Sequence, residues 1–185
     1  MRWQIGWQAL SVAIVVFLGG LLLGSHLQTS DAIHGSADER LQPVGTVPIA
    51  LSPGATVYVP VYSSLYLGLD TKQRMVDLTA TVSVRNVSAS NQIVIEWARY
   101  YDSRGKLIRD YVDQPSALPA LGSVEFVIAR SDTGGGPGAN FLIRWQGPPG
   151  VNPPVIEAVM LGQSGNAGIS FASPGRVVKS EPGDQ

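Results

Sequence analysis

The most regular pattern in the chain is an alternation. Leu78, Ala80, Val82 and Val84 are apolar, and Thr79, Thr81, Ser83 and Arg85 between them are polar. A period of two turns one set of side chains to a buried face of a sheet and the other to water. The same period recurs in Val57, Val59 and Val61, in Ile93, Ile95 and Trp97, in Val124, Phe126 and Ile128, and in Phe141, Ile143 and Trp145. Pro60 inside the first of these runs marks an edge strand, because proline cannot donate to a ladder. Residues 155–161 are almost wholly apolar and predict a central strand; 169–171 predict a short last one. Between the runs lie turn signals: NVSASN (86–91), Asp102-Ser103-Arg104-Gly105 before a returning hairpin strand over 106–112, a loop at 115–122, the glycine-dense DTGGGPGAN (132–140), and a Pro/Gly stretch at 147–154. About seven or eight strands with no helix predict an all-β, immunoglobulin/fibronectin-like sandwich, with a small barrel as the alternative. Trp97 and Trp145 are expected to fill the space between its sheets.

The N-terminus follows another rule. Residues 3–30 contain no Asp, Glu, Lys or Arg, and 9–23 read ALSVAIVVFLGGLLL. About 20 predominantly apolar residues suffice to cross a bilayer as one transmembrane helix. Arg2 precedes this run and Asp31, Asp38 and Glu39 follow it, so the basic side stays in the cytoplasm and the domain lies outside, periplasmic or extracellular. Ser30-Asp31-Ala32 offers the alternative of cleavage by signal peptidase and secretion. The expected division is a membrane anchor or signal segment (1–29), a flexible tether (30–54), a β-sandwich domain (55–178) and a disordered tail (179–185).

Composition narrows the chemistry. The 185 residues include no Cys and two His, His26 and His34, both before the domain. Thiolate nucleophiles, thiolate-held metals, and Ser-His or Cys-His catalysis are therefore unavailable inside it. A formal net charge of −1 argues against nucleic acid as a partner. No cofactor is expected.

Five ordered segments carry a resemblance: VYVPVYSSLY (57–66), YYDSRGKLIRDY (100–111), GGPGANFLIRW (135–145), NPPVIEAVM (152–160) and GISFASPGR (168–176). Together they resemble a bacterial family of domains of unknown function, number 3124, over most of 57–178. The resemblance implies secreted or membrane-attached proteins with no assigned activity, so no catalytic residue is transferred. Many members resemble lipoproteins; a chain without Cys departs from that and relies on its apolar segment.

Candidate sites are few. The glycine loop 134–138 lacks the Lys and following helix of a phosphate-binding loop, and its glycines are explained by unusual backbone angles. Asp132, Asn140 and Glu157 are oxygen donors that could form a ligand or calcium-like site if they converge; otherwise Asp132 makes an Asx turn and Glu157 pairs with an arginine such as Arg144 or Arg176. Tyr58, Tyr62 and Tyr66 are either an exposed aromatic binding face or ordinary cross-strand packing. Asn86-Val87-Ser88 fits a glycosylation pattern, but the turn suffices to explain it. The expected function is a non-catalytic, membrane-anchored binding or structural module of the cell envelope, meeting a protein or glycan partner, for instance at a free strand edge. The alternatives are a metal-dependent carbohydrate binder or carboxylate-dependent hydrolase built on Asp132, Asn140 and Glu157, and a subunit of a larger envelope complex.

Overall fold

A computed structural model describes residues 41–44, 51–67 and 74–178. The apolar segment, most of the tether and the tail fall outside the described residues. Within them there is no helix, and twelve strands form two antiparallel sheets. The strands are β1 (Gln42–Pro43), β2 (Ser52–Pro60), β3 (Ser64–Leu67), β4 (Arg74–Arg85), β5 (Ile93–Tyr101), β6 (Leu107–Asp110), β7 (Ser116–Leu118), β8 (Ser123–Ile128), β9 (Asn140–Gly147), β10 (Val155–Ser164), β11 (Ala167–Pro174) and β12 (Arg176–Val178). The excess over seven or eight comes from short pieces: β1, β3 and β12 at edges, and β7 between β1 and β5. Two of these stretches, Gln42–Pro43 and the start of β2, come from the region read as tether.

The first sheet runs β1-β7-β5-β9-β2-β12, with β6 also on β5. The second runs β11-β10-β4-β3, with β8 also on β4. Two long strands, β4 and β5, are each covered on one side by two shorter ones in succession. Beside β4, β3 pairs with residues 74–77 and β8 with 80–85. Beside β5, β7 pairs with 93–95 and β6 with 99–101.

The alternating pattern becomes the core directly. Leu78, Ala80, Val82 and Val84 of β4, with Phe126 of β8 and Met160 of β10 beside them in the same sheet, face Val59 of β2, Ile93 and Ile95 of β5 and Phe141 and Ile143 of β9 across the interior, and all of them are buried. Tyr100 and Phe141 stack with centroids 5.2 Å apart, and Tyr111 lies 5.3 Å from Phe141 and 5.5 Å from Phe126. Offset aromatic packing of this kind adds to area burial. The strand carrying Pro60 is not an edge strand as expected, since β2 lies between β9 and β12; but β12 pairs with it only over residues 56–58, so among the described residues nothing pairs with that side of the strand at Pro60. The residue 155–161 run is central, with β4 on one side and β11 on the other.

One expectation fails. Trp145 lies in the core, but Trp97 does not. The β5–β9 register slips between Ile95 and Trp97, so that Ile95 faces Trp145 while Trp97 faces Arg144. A bulge inserts one residue and reverses which side chains point inward. Beyond it Ala98 and Tyr100 are buried, and Trp97 stands on the outer face with the Arg99 guanidinium 4.7 Å from its ring centroid.

Candidate functional site

One end of the sandwich gathers the conspicuous polar groups. The β8–β9 loop (129–139) lies over the β5–β6 turn and the β2–β3 corner there. The turn forms because Asp102 accepts hydrogen bonds from the backbone N–H groups of Lys106 (2.9 Å) and Arg104 (2.8 Å), and Gly105 takes a positive φ of 79°. These donors, Lys106 first, hold the Asp102 carboxyl below the ordinary range.

Serines pin the glycine loop to both neighbours. Ser63 donates from its hydroxyl (3.1 Å) and its N–H (3.2 Å) to the Gly136 carbonyl. Ser103 donates likewise (2.9 and 3.0 Å) to the Gly135 carbonyl, and its hydroxyl accepts the Gly138 N–H at 2.9 Å. Asp132 accepts the Gly134 N–H at 3.3 Å, the expected Asx turn, and sits 3.7 Å from the Arg109 guanidinium. Arg109 also covers the ring of Tyr111, whose hydroxyl donates to the Val127 carbonyl (3.3 Å). This contact links β8 of the second sheet to the segment after β6 of the first.

Beneath the loop, the Tyr100 hydroxyl is buried with no partner of ordinary hydrogen-bond geometry among the described residues. Ser63 stands beside it but donates to Gly136. Gly135 seals it: a Cβ there would come within 1.8 Å of the phenol oxygen. Only glycine allows this approach. Burial, and then the Asp132 carboxylate, push the Tyr100 pKa up to about 12, while Ser63 opposes the shift. Burial also raises that of Tyr111. A phenol with a raised pKa stabilises the fold while it is protonated. Stability is therefore fully present below pH ~10, the ordinary tyrosine value, and falls as pH rises from there to about 12. Tyr100→Phe should cost less than ~1 kcal/mol at neutral pH, since it removes a hydroxyl with no partner of ordinary geometry, and should flatten the alkaline loss. Urea midpoints for both proteins between pH 8 and 12 measure this; parallel alkaline slopes would refute the assignment to Tyr100.

The oxygen donors Asp132, Asn140 and Glu157 do not converge. Asn140 opens β9 at the glycine-loop end, opposite Pro60 and Tyr101 in the first sheet. Glu157 lies in the second sheet, near the start of β10 at the other end, with Arg85 at 3.5 Å rather than Arg144 or Arg176. Among the described residues no three His, Cys, Asp or Glu side chains form a group that could hold a metal. The tyrosines are also dispersed. Tyr58 points outward from the first sheet and Tyr66, 54% exposed, from the second beside Met75, while Tyr62 packs edge-on against Phe171 at 5.5 Å.

Two features had no reading in advance. On the outer face of the first sheet Glu96 pairs with Arg144 (3.2 Å) and accepts from Gln146, next to Trp97. Arg99 pairs with Asp110 at 2.9 Å. The alternation of 141–145 placed Arg144 outward, but its partner became visible only through the bulge.

At the opposite end, Asn86 is a buried hub. Its amide nitrogen reaches the carbonyls of Asn91 (2.8 Å), Pro119 (2.9 Å) and Leu118 (3.3 Å), and its oxygen accepts the Ser88 N–H at 3.0 Å. It joins the β4–β5 turn to the β7–β8 loop, where the Leu121 N–H donates to Ser88 O and Leu121 holds a positive φ of 57°. A glycan on this nitrogen would replace one of its two N–H donors and could not fit among the three carbonyls around it. Asn86→Asp keeps the shape but sets a carboxylate against those carbonyls, and should cost about 2–3 kcal/mol or more in denaturant unfolding. A loss under ~0.5 kcal/mol would remove Asn86 as the tie between the two loops.

A family model described as "Protein of unknown function (DUF3124)" matches residues 54–178. No curated protein and no solved structure matches the chain.

Proposed function

The chain belongs to the DUF3124 family of proteins of unknown function, and we propose that it is a non-catalytic binding or structural module, attached to the bacterial cell envelope by its N-terminal apolar segment with the sandwich outside the cytoplasm. The observation that carries the reading is how the polar side chains are used. Glu96, Asp110, Asp132 and Glu157 each stand beside an arginine, and Ser63 and Ser103 are bonded to loop backbone. Groups that could serve as acid, base or nucleophile hold strands and loops together instead. General acid–base and nucleophilic catalysis need such groups aimed at a shared reacting position. The separation of Asp132, Asn140 and Glu157 leaves the metal-binding and hydrolytic alternatives without a common site. We read the sandwich as immunoglobulin/fibronectin-like: the sheet built on β4, β8 and β10 faces the sheet built on β5, β9 and β2.

The reading is tested by fractionating cells that express the full chain. It should sediment with membranes at its intact mass, and protease added to spheroplasts should digest the sandwich while a cytosolic marker survives. Recovery in the cytosol, or protection from that protease, would overturn it; release of a shortened soluble form would replace the anchor with a cleaved signal.

A further inference from the structure

A strand at the edge of a sheet presents unpaired N–H and C=O groups, and proteins ordinarily guard such edges with charge, proline, bulges or short length. Most edges here are guarded. β1, β3 and β12 have two to four residues. β6 is short and carries Arg109 and Asp110. β8 carries Glu125, and the Tyr111 hydroxyl occupies its Val127 carbonyl.

β11 differs. It pairs with β10 without a break through eight residues, Ala167–Pro174, and among the described residues nothing pairs with its other side. Its sequence, AGISFASP, has no charged residue, and its only proline is the last residue. Its outward positions Gly168, Ser170 and Ala172 are small and exposed. They continue on β10 into Val159 and Leu161, the latter 54% exposed, and on β4 into Thr79 and Thr81. Its inward Ile169 and Phe171 pack against the core but are only partly buried.

We propose that β11 is a self-association edge, pairing antiparallel with β11 of a second copy of this chain across a two-fold axis near its centre. Antiparallel pairing is self-complementary in its backbone bonds: across a two-fold axis residue i faces residue j and j faces i, and only residues near the axis meet their own copies. A charged edge opposes such pairing, because like charges opposite one another are destabilising; β11 has none. The paired edges would form one continuous sheet across the dimer and cover Ile169 and Phe171. The strand alone is smaller than a standard interface, so the association is expected to be weak and concentration-dependent. The inference extends the reading of the chain as a binding module by naming the edge and its partner.

The chain has no cysteine, so a single introduced thiol reports on its own position. The full chain carrying Ser170→Cys, purified in mild detergent and treated with a short bismaleimide, should give a covalent dimer whose yield falls on dilution. Ser90→Cys, in the exposed β4–β5 turn, should give none, which controls for two chains sharing a micelle. Ser170→Lys and Ser170→Glu should each sediment as monomers, and mixing them should restore the dimer. Circular dichroism checks that each variant is folded. Equal cross-linking from Ser90→Cys, failure of Ser170→Cys to link while the variant is folded, or linkage to a different protein in intact membranes would each overturn self-pairing. None of these outcomes bears on the location of the chain, which fractionation measures separately.

Discussion

Phe141→Ala should lower unfolding free energy by about 3–5 kcal/mol, the range for truncating a buried aromatic. The size follows from what the ring touches. Phe141 is fully buried, and its neighbours are Tyr100 at 5.2 Å, Tyr111 at 5.3 Å and Phe126 at 6.2 Å. Those three come from β5, the segment after β6, and β8, so one ring joins both sheets and the edge where Arg109 and Asp132 meet. The cavity cannot easily collapse. Tyr111 is held by its hydroxyl bond to Val127 O, and Tyr100 is capped by Gly135, which leaves its phenol no room to move outward. Phe141→Leu, which keeps most of the volume, should cost well under half as much. Chemical denaturation with intrinsic fluorescence measures both. An alanine variant within ~1 kcal/mol of the parent would mean that the four rings do not form one shared core.

The strands that could be read from sequence are those whose period of two is unbroken. β4, β8 and β9 fold as their alternation dictates, because each inward residue has only to face the other sheet, and the apolar run of β10 lies where strands flank it on both sides. β5 is the instructive exception. Ile93, Ile95 and Trp97 look like one face, but the bulge at 95–97 shifts the phase, and a bulge leaves no mark in a pattern of apolar and polar letters. β7 escaped for another reason. Ser116–Leu118 is too short for a period, and its burial comes from β5 and β1 lying on either side. Sites were less legible than strands. Asp132 reads correctly as an Asx turn because that bond is local, within two residues. The partners of Glu157 and Glu96 depend on which strands are neighbours, and so on topology. The Tyr100 phenol is the extreme case: its environment is made by Gly135, thirty-five positions away in sequence and beside it in space.

Gly175→Val should be strongly destabilising, because Gly175 is where the chain leaves one sheet for the other. β11 ends at Pro174 on β10, and β12 begins at Arg176 on β2. Between them the Gly175 N–H donates to the Ile156 carbonyl at 2.8 Å. A Cβ on Gly175 would lie 2.7 Å from Val57 Cγ1 and 2.8 Å from that carbonyl oxygen. Val57 could rotate, but the Ile156 oxygen is backbone, fixed by the β10–β4 ladder on the next residues. The strand must therefore lift away from one sheet. Alanine should cost about 1–3 kcal/mol as overpacking, and valine, with two further methyl groups against the same atoms, more than that. The loss should be localised at first. With β12 displaced, the edge of β2 over 56–58 is uncovered, so hydrogen exchange should quicken there at the N–H groups that face β12 before it does in β5 and β9. A valine variant as stable as the parent, or exchange quickening uniformly across both sheets, would show that the corner is not what ties β11 and β12 to their separate sheets.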